Sequence, residues 1–460
     1  MPLQKIKICG YRGFSSAQSM ALAIPNGTFG SGLTIITGSN NSGKSSILEC
    51  LRARSGYGNV SFTTGTRNSN RDEVSITYTI DGMDEELRSV SRGSSETIRE
   101  NAVGDLSLFV LPSRRAFEPY FGKSERDRKE YQSVYGLPSQ RASVLPEFSS
   151  RLFRIIKNPN KFNSEIEKIL GYCPTWTIDQ NDQGSYFLKF IQNETAHSSD
   201  GMGEGIVSLF SIIDALYDSS PGDVVVIDEP ELSLHPALQK RLAQMFLEYS
   251  ADRQLIISTH SPYFVILESL TDGAHLVRVV NSEAEGTKIF ELSYESKKSI
   301  KMLAVSNFNN PHVLGLGARE IFFEEDGIIL TEGQEDVVFF PLVAEQLDVR
   351  IPGQLFGWGI GGASNMATVS GVLNDLGFKK VAGLLDQDKL QDLPALRSRF
   401  PSYFFSTIPA KDIRTKKSRK ATDKIEGLLD ESRKIRPAYV EDTRRLFVDL
   451  TEFMKSMPSK

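Results

Sequence analysis

Cysteine is scarce in this sequence, with three residues among 460. Cys9, Cys50 and Cys173 lie far apart along the chain, so they cannot supply a four-cysteine zinc module. Scattered free thiols are typical of proteins from a reducing compartment. The cysteines therefore argue for such a compartment and against a structural zinc site.

Long apolar runs and a strong charge bias are also missing. The sequence has no secretory signal pattern and no apolar stretch of about 18 residues, so we expect a soluble, cytoplasmic protein with no membrane partner. The formal net charge of −5 excludes a surface that is basic throughout. Local basic runs remain, above all at 411–420, where contact with DNA phosphates and a solvated loop are equally open interpretations.

A glycine-bounded phosphate-binding loop is the clearest motif in the chain. It reads Gly38-Ser-Asn-Asn-Ser-Gly-Lys44-Ser45, after a β-rich run at 32–37 and before a helical run at 46–52. This setting aims backbone N–H groups and a helix N-terminus at phosphate oxygens. We expect Lys44 to reach the β- and γ-phosphates of ATP and the Ser45 hydroxyl to ligate Mg²⁺. The predicted nucleotide-binding residues are Gly38, Asn40, Asn41, Ser42, Gly43, Lys44, Ser45 and Ser46.

Two further strand ends carry groups that ATP hydrolysis needs. The run Asp223-Val-Val-Val-Ile-Asp228-Glu229 indicates a buried parallel strand followed by two carboxylates. Asp228 is the predicted magnesium-side carboxylate, and Glu229 is the predicted base for the attacking water. Another apolar run precedes His260. That histidine is either structural or a sensor of the γ-phosphate, and its place after a strand favours the sensor.

These elements resemble the ATP-binding-cassette ATPases, in the branch of SMC-like and OLD (overcoming lysogenisation defect) proteins. In that family a signature loop ahead of the acidic strand reaches the nucleotide of a partner subunit. The matching stretch here, 198–205, departs from the common Leu-Ser-Gly-Gly-Gln form. The resemblance implies that Ser199 and Gly201 complete the ATP site of a homodimer or a larger homo-oligomer. An ordinary glycine-rich loop is the alternative.

Acidic residues follow two apolar strands in the C-terminal part. Glu332 and Asp336 come after one strand, and Asp386 and Asp388 come after another. Carboxylates at neighbouring strand ends can converge on one or two Mg²⁺ or Mn²⁺ ions. The pattern resembles the Toprim domain of topoisomerases, primases and OLD nucleases. The resemblance implies that Glu332 and Asp336 bind metal or transfer a proton, and that Asp386 and Asp388 ligate the principal metal.

A later segment, Asp423-Lys424-Ile425-Glu426-Gly-Leu-Leu429, resembles an OLD segment that supplies a carboxylate for a second metal. The resemblance implies that Glu426 is this ligand and that Lys424, or alternatively Lys411, stabilises the phosphate under attack. Glu and Lys on a solvated surface are the ordinary alternative. A glycine-containing segment at 356–364 also resembles the family, although simple turn chemistry explains it equally well.

The motifs imply an α/β protein with two domains. Residues 1–315 form the predicted ABC/SMC-like P-loop ATPase domain, with a small helical dimerisation insert at about 145–172. Residues 316–460 form the predicted Toprim domain, a Rossmann-like α/β fold, and a polar linker is expected at 296–326. No sustained heptad repeat is visible, so a chromosome-condensing machine is not expected.

Together the two domains resemble an OLD-family ATP-dependent endonuclease. The resemblance implies ATP and Mg²⁺ or Mn²⁺ as cofactors, DNA as substrate and a role in antiphage defence. Some members of the family act in retron systems, so a reverse transcriptase with its RNA–DNA hybrid, or another defence protein, is a candidate partner. The main alternative is a DNA-binding regulatory ABC-type ATPase whose Toprim domain is not catalytic. A topoisomerase or primase is less favoured, because only the 72 residues 389–460 follow Asp388 and the cysteines supply no zinc module.

Overall fold

The computed structural model describes residues 1–460 except 56–60, 63–64, 105, 114–119, 124–147, 193–194, 199–203, 305–325, 418–423 and 457–460. The chain divides into two compact units, Met1–Ile289 and Phe290–Lys460. This division lies ahead of the expected domain boundary at 315/316, which falls outside the described residues. The domain limits of 1–315 and 316–460 therefore stay a prediction.

The first unit is rich in strands. They are β1 (Leu3–Cys9), β2 (Gln18–Ala21), β3 (Leu33–Thr37), β4 (Ser75–Ile80), β5 (Met83–Ser89), β6 (Thr97–Glu100), β7 (Leu108–Leu111), β8 (Tyr120–Phe121), β9 (Thr175–Gln180), β10 (Tyr186–Gln192), β11 (Thr195–Ser198), β12 (Val224–Asp228), β13 (Gln254–Ser258), β14 (His275–Ser282) and β15 (Gly286–Glu291), the last of which continues past the unit boundary. The helices are α1 (Lys44–Ser55), α2 (Phe148–Ile155), α3 (Asn160–Leu170), α4 (Glu204–Tyr217), α5 (Pro236–Tyr249) and α6 (Leu267–Thr271), with a 3-10 turn at Pro262–Phe264.

A largely parallel sheet in the order β15-β14-β3-β13-β12-β7 forms the centre of this unit. Strands β3, β12 and β13 are buried along their whole length. Strands covered on both faces read as continuous apolar runs, which is why these runs were recognisable in the sequence. Because β12 pairs with β13 and β13 with β3 in parallel, the carboxyl ends of all three strands lie along one edge. That edge positions the ATPase motifs.

An antiparallel sheet in the order β2-β1-β4-β5-β6 belongs to the same unit. Gln254, at the start of β13 and 1% exposed, links it to the central sheet. Its Oε1 accepts from the amide of Leu3 at 2.8 Å, and its Nε2 donates to the carbonyls of Leu3 and Ala23, both at 2.8 Å. Burial of an amide costs free energy unless its hydrogen bonds are made. These three bonds therefore fasten the antiparallel sheet to the central sheet.

The insert predicted at 145–172 is helical where it is described, with α2 and α3 in the expected place. Arg151 of α2 is 3% exposed. Its Nη2 lies 3.0 Å from Asp214 Oδ1 and 2.9 Å from Asp218 Oδ2, and these two carboxylates lie on α4 or directly after it. The ion pair therefore fastens the insert to the ATPase part of the unit. The dimerisation role of the insert stays a prediction.

We expect Arg151→Ala to lower the free energy of unfolding of the first unit by about 3–5 kcal/mol. The physical reason is that removal of one partner leaves buried carboxylate charge without compensation. Urea denaturation followed by circular dichroism measures the change. Arg154→Ala, on the exposed face of the same helix, is the matched control and should stay close to wild type. Equal stability of the two variants would contradict the fastening role.

The second unit contains a smaller parallel sheet. Its strands are β16 (Ile328–Thr331), β17 (Gln354–Leu355), β18 (Val381–Leu385) and β19 (Phe404–Thr407), in the order β17-β16-β18-β19, and a separate pair, β20 (Lys416–Lys417) and β21 (Lys424–Ile425). The helices are α7 (Tyr294–Ala304), α8 (Gln334–Gln346), α9 (Met366–Asp375), α10 (Leu393–Arg399) and α11 (Val440–Lys455), with 3-10 turns at Ala363–Asn365, Gln387–Asp392 and Pro437–Tyr439.

The two strands predicted to carry the acidic motifs, β16 and β18, are direct neighbours in this sheet. They pair in parallel, with Thr331 opposite Leu384, so the residues that follow them emerge at the same edge. A core of apolar side chains from the sheet, α8 and α11 stabilises the arrangement. Parallel strands with helices between them confirm the predicted α/β class.

Helix α7 corrects the expected linker at 296–326. Ile300 of this helix is 1% exposed, and α7 packs against α9. The amide of Ser293 and the hydroxyl of Ser296 both donate to Asp375 Oδ2. The polar residues that suggested a linker instead form the solvated face and the N-terminal cap of a packed helix. Residues 305–325 of the expected linker lie outside the described residues.

None of the described helices is both long enough and apolar enough to span a membrane.

Candidate functional site

The phosphate-binding loop joins β3 to α1, as the sequence predicts. Gly38 has φ +146° and Gly43 has φ +111°, backbone conformations that residues other than glycine rarely adopt. A Cβ atom at Gly38 would lie 2.2 Å from the carbonyl oxygen of Val279, and one at Gly43 would lie 2.8 Å from Thr287 Cγ2. Both positions therefore require glycine for shape as well as for backbone freedom. Helix α1 begins at Lys44, so its N-terminus faces the loop.

Lys44 is held inside the loop. Its Nζ donates to the carbonyl oxygens of Gly38 and Ser39, both at 2.9 Å. Burial lowers the pKa of Lys44, and the carboxylates of Glu229, Asp228 and Glu231 act in the opposite direction. The ammonium group is therefore held at the place where the loop would bind phosphate.

The loop fits a nucleotide triphosphate by two observations. Ser42 Oγ is buried and makes no hydrogen bond among the described residues, so it has an unused donor for a phosphate oxygen. The loop also borders a cavity of about 560 Å³, a size in the range of nucleotide-sized ligand pockets. The cavity is lined by Arg12, Gly13, Asn40, Asn41, Ser42, Gly43, Lys44, Ser45, Ser46, Glu229, His260, Asn281 and Thr287.

The predicted acidic pair lies at the same edge. Asp228 ends β12 and its Oδ1 accepts a hydrogen bond from Ser258 Oγ at 2.6 Å. Glu229 follows with φ +47°, a left-handed conformation that is strained for a residue with a side chain. Its Oε1 lies 3.7 Å from His260 Nε2. The structure thus brings Lys44, Asp228, Glu229 and His260 together, as the sequence predicts.

The surroundings of His260 favour its neutral form. Burial lowers its pKa, the nearby ammonium of Lys44 lowers it further, and Asp228 only partly opposes both. The contact with Glu229 is therefore not an ion pair at neutral pH. A neutral imidazole can position a γ-phosphate or a water by hydrogen bonding without adding positive charge.

Glu231 is a further site residue, to which the sequence motifs assign no role. Its Oε1 accepts from the amide of His260 at 2.5 Å, and its Oε2 accepts from Thr259 Oγ1 at 2.8 Å. Burial raises the pKa of Glu231 despite these bonds. The carboxylate therefore fixes the backbone that carries His260. Its position two residues after Glu229 was the available signal.

We expect Glu231→Ala to slow ATP hydrolysis by about 10- to 100-fold with little change in ATP affinity, because displacement of the His260 segment misplaces a group near the reacting phosphate. Turnover by phosphate release and affinity by nucleotide titration separate the two effects. Glu167→Ala, at an exposed position of α3, should behave as wild type. An unchanged turnover number for Glu231→Ala would exclude this positioning role.

The nucleotide cavity is also lined from two segments that are far apart in the sequence. Arg12 and Gly13 belong to one, and Thr287 belongs to the other. The amide of Thr287, in β15, donates to the carbonyl of Gly13 at 2.8 Å. A Cβ atom at Gly13 would lie 2.3 Å from Thr287 Oγ1, so Thr287 fills the space between Gly13 and Gly43. No spacing or periodicity in the sequence connects these positions.

A second cluster of polar groups lies at the sheet edge of the second unit. The amide of Asp386 donates to Glu332 Oε1 at 2.7 Å. Burial, together with repulsion from Glu332, Asp336, Asp412 and Asp388, raises the pKa of Asp386 to about 8. Burial also raises the pKa of Glu332. Four predicted acids therefore influence one another electrostatically.

Two members of this cluster were not predicted from the sequence. Asp412 is 6% exposed and its carboxylate contributes to the raised pKa values of Glu332 and Asp386. Lys389 Nζ lies 3.1 Å from Asp388 Oδ2, and its charge also acts on Glu332. Asp412 lies beyond the strand-end motifs, and Lys389 directly follows Asp388.

Other predicted residues are less closely joined to the cluster. Asp336 Oδ2 accepts from the amide of Gly333 at 2.8 Å and thereby caps α8, which is a structural role. Glu426 is exposed directly after β21 and makes no hydrogen bond or ion pair with the described residues. Lys424 belongs to β21, and its side chain is outside the described part of the structure. Ser199 and Gly201 also fall outside it.

No three histidine, cysteine, aspartate or glutamate side chains of the described residues lie close enough together to form a metal centre. The donor chemistry nevertheless suits a hard divalent cation, since Glu332, Asp386 and Asp388 are carboxylates whose mutual repulsion such an ion would neutralise.

Comparisons with known proteins agree with the ATPase motifs. Residues 5–195 match a family described as "AAA domain", and residues 126–266 match one described as "AAA domain, putative AbiEii toxin, Type IV TA system". No curated protein matches the chain.

Solved structures with weak similarity include two SMC heads. The SMC head domain from Thermotoga maritima is 14% identical, covers 64% of this chain and 100% of its own, and has a TM-score of 0.37. An Smc head domain with an extended coiled coil from Pyrococcus furiosus is 13% identical, covers 66% of this chain and 98% of its own, and has a TM-score of 0.39. Both TM-scores are low, and the fold is defined by the strand order and the phosphate-binding loop. Within residues 5–266 the chain carries an ATP-binding P-loop ATPase domain of the AAA type.

Proposed function

We propose that this protein is an ATP-hydrolysing, metal-dependent DNA endonuclease of the OLD type, with a Toprim domain in its second unit. The observation that carries the proposal is that Glu332, Asp386 and Asp388 follow the carboxyl ends of two adjacent parallel strands, where the amide of Asp386 donates to Glu332 Oε1. Ligand sites of open α/β sheets collect at such edges. An ATPase domain in the same chain adds a nucleotide-dependent control for DNA cleavage.

Glu332, Asp386 and Asp388 would hold the principal Mg²⁺ or Mn²⁺, with Asp336 beside them and Glu426 serving a second ion. When bound, the metal neutralises charge on the phosphodiester and makes water a stronger nucleophile. Asp412, buried within the same electrostatic cluster, would add negative charge that a bound cation offsets. Lys389, Lys411 and Lys424 are the cations available to the DNA phosphate; Lys389 is the one whose contact with the cluster is defined.

ATP would bind at Lys44 and Ser45, with Asp228 on the magnesium side and Glu229 as the base. Ser199 and Gly201 would complete the site of a partner subunit, so the active form would be a homodimer or a larger homo-oligomer. A defence role is supported by the toxin description of the family that matches residues 126–266. A reverse transcriptase with its RNA–DNA hybrid, or another defence protein, is the proposed partner class.

A plasmid-nicking assay tests the nuclease proposal. Supercoiled DNA is incubated with the protein and Mg²⁺ or Mn²⁺, with and without ATP, and the open-circular and linear products are measured on gels. We expect cleavage that EDTA abolishes and that ATP alters by about 5- to 150-fold, the range of an ordinary coupling free energy between sites. Cleavage that does not depend on metal, or the absence of cleavage under every condition, would contradict the proposal.

A DNA-binding regulatory ATPase is the second candidate function. The observation that favours it is the absence, among the described residues, of three potential metal ligands close enough to form a centre. Under this alternative the protein binds DNA and hydrolyses ATP but leaves the plasmid intact, which the same assay combined with a DNA-binding measurement detects.

A further inference from the structure

Trp358 is an exposed aromatic side chain beside the acidic cluster of the second unit. The chain has two tryptophans, and the other one, Trp176, is only 7% exposed. Trp358 is 51% exposed, whereas the neighbouring apolar side chains of its loop, Phe356 and Ile360, are 2% and 0% exposed. The loop therefore buries its other large apolar groups and leaves the indole in solvent.

Backbone contacts hold this loop against the strand end that carries Glu332. The amide of Ile360 donates to the carbonyl of Thr331 at 2.9 Å, and the amide of Gly362 donates to the carbonyl of Glu332 at 2.8 Å. Asn365 Nδ2 donates to the carbonyl of Ile360 at 2.9 Å and secures the loop from its other side. The position of residue 358 is thus set by hydrogen bonds to the strand end itself.

Gly359 brings the loop especially close. It has φ +81°, and a Cβ atom there would lie 2.6 Å from the Cα of Gly333. Consecutive Cα atoms are about 3.8 Å apart, so the Cα of Trp358 lies within roughly 8 Å of the Cα of Gly333. Gly333 directly follows Glu332. The backbone that carries the exposed indole is consequently a close neighbour of the strand end that bears Glu332.

We propose that Trp358 stacks on an unpaired nucleobase next to the scissile phosphate, so that the preferred substrate is DNA with single-stranded character. The inference rests on the nuclease function proposed above. A planar indole accepts any base by stacking, because every base has an aromatic face. The bases of an intact duplex already stack on one another and offer no free face to a side chain, so the contact discriminates for unpaired DNA.

The surrounding chemistry favours nucleic acid over a protein as the occupant. The two residues that flank Trp358 are glycines, and the nearest apolar neighbours in the loop are buried. Protein interfaces instead bury clusters of apolar side chains. Lys389, bonded to Asp388, supplies a cation within the acidic cluster for a backbone phosphate. Single-strand binding sites combine aromatic side chains that stack on bases with cations that contact the backbone phosphates.

Binding measurements in EDTA test the inference without any cleavage. The probes are a fluorescein-labelled oligothymidylate and a labelled blunt duplex, and their affinities are obtained from fluorescence anisotropy. We expect Trp358→Ala to weaken oligothymidylate binding by about 5- to 150-fold, the effect of losing one stacked base. Trp358→Phe should retain most of the affinity, because phenylalanine also stacks. Duplex affinity should not change.

Tyr294→Ala is the matched control, because Tyr294 is an aromatic residue that is 77% exposed on α7. It should bind oligothymidylate as the wild type does. The wild-type protein gives a reading that needs no substitution: oligothymidylate should quench the exposed Trp358 and protect it from iodide, while buried Trp176 is unaffected.

The inference is overturned if Trp358→Ala binds oligothymidylate normally, if it loses oligothymidylate and duplex affinity equally, or if the wild type shows no binding and no quenching by oligothymidylate. These outcomes differ from a failure of the nuclease proposal, which appears as plasmid that stays intact in Mg²⁺ or Mn²⁺ whatever the binding data show.

Discussion

Replacement of Asp386 or Asp388 by alanine should lower DNA cleavage by more than about 100-fold while ATP hydrolysis in the absence of DNA stays near wild type. Residues that merely support metal ligands already cost 10- to 100-fold in activity when removed, so loss of a ligand should exceed that range. Nicking of supercoiled plasmid measures cleavage, and phosphate release measures ATP turnover. Full cleavage activity in the double variant would rule out the proposed cutting centre.

Asp386→Asn provides a control for folding. A partly buried carboxyl whose pKa is raised to about 8 stays protonated in the folded protein at a pH where the unfolded chain has ionised it. Its contribution to stability is therefore present at acid pH and is lost as the pH rises towards 8. In EDTA, the melting temperature of wild type should fall more between pH 5 and pH 8 than that of Asp386→Asn. A variant that loses cleavage yet shows this flatter profile is folded, and its defect is chemical.

Glu229→Gln should bind ATP with near wild-type affinity and hydrolyse it about 100-fold or more slowly, because a positioned general base contributes about 10²- to 10⁴-fold to such a reaction. For Lys44→Ala, in contrast, we expect a defect in ATP binding. Loss of a charge-assisted contact to phosphate weakens ATP binding itself by about 10-fold or more. Nucleotide titration and single-turnover hydrolysis separate binding from chemistry for the two variants.

Lys288→Ala is a suitable control for the loss of a cation from the first unit. Lys288 lies in β15 next to Thr287 but does not line the nucleotide cavity. Its Nζ donates to Ser16 Oγ at 3.2 Å. We expect it to bind and hydrolyse ATP normally. If Glu229→Gln turned over ATP as fast as wild type, another residue would have to activate the water.

The strands that carry the chemistry were predictable because burial on both faces leaves an unbroken apolar signature. Runs ending at Thr37, Asp228 and Ser258 are all recognisable in this way, and each ends at the edge that holds the nucleotide cavity. The same reasoning located Glu332 and Asp386 at adjacent strand ends.

Residues that reach the sites from elsewhere were not predictable. Thr287 contacts Gly13 and Gly43 only because a hairpin folds back over the loop, and no local pattern encodes that return. Asp412 joins the acidic cluster through the path of the chain after β19. Helix α7 was missed because its polar face dominates its composition, while the few apolar positions that pack it are spread over three turns.

The left-handed backbone of Glu229 has a further consequence. A residue with a side chain is less stable in this conformation than in an ordinary one by about 1–2 kcal/mol, whereas glycine adopts it readily. Glycine at this position would relax the end of β12 and at the same time delete the proposed base. We therefore expect Glu229→Gly to melt at a higher temperature and still bind ATP, and to hydrolyse it about 100-fold or more slowly than wild type.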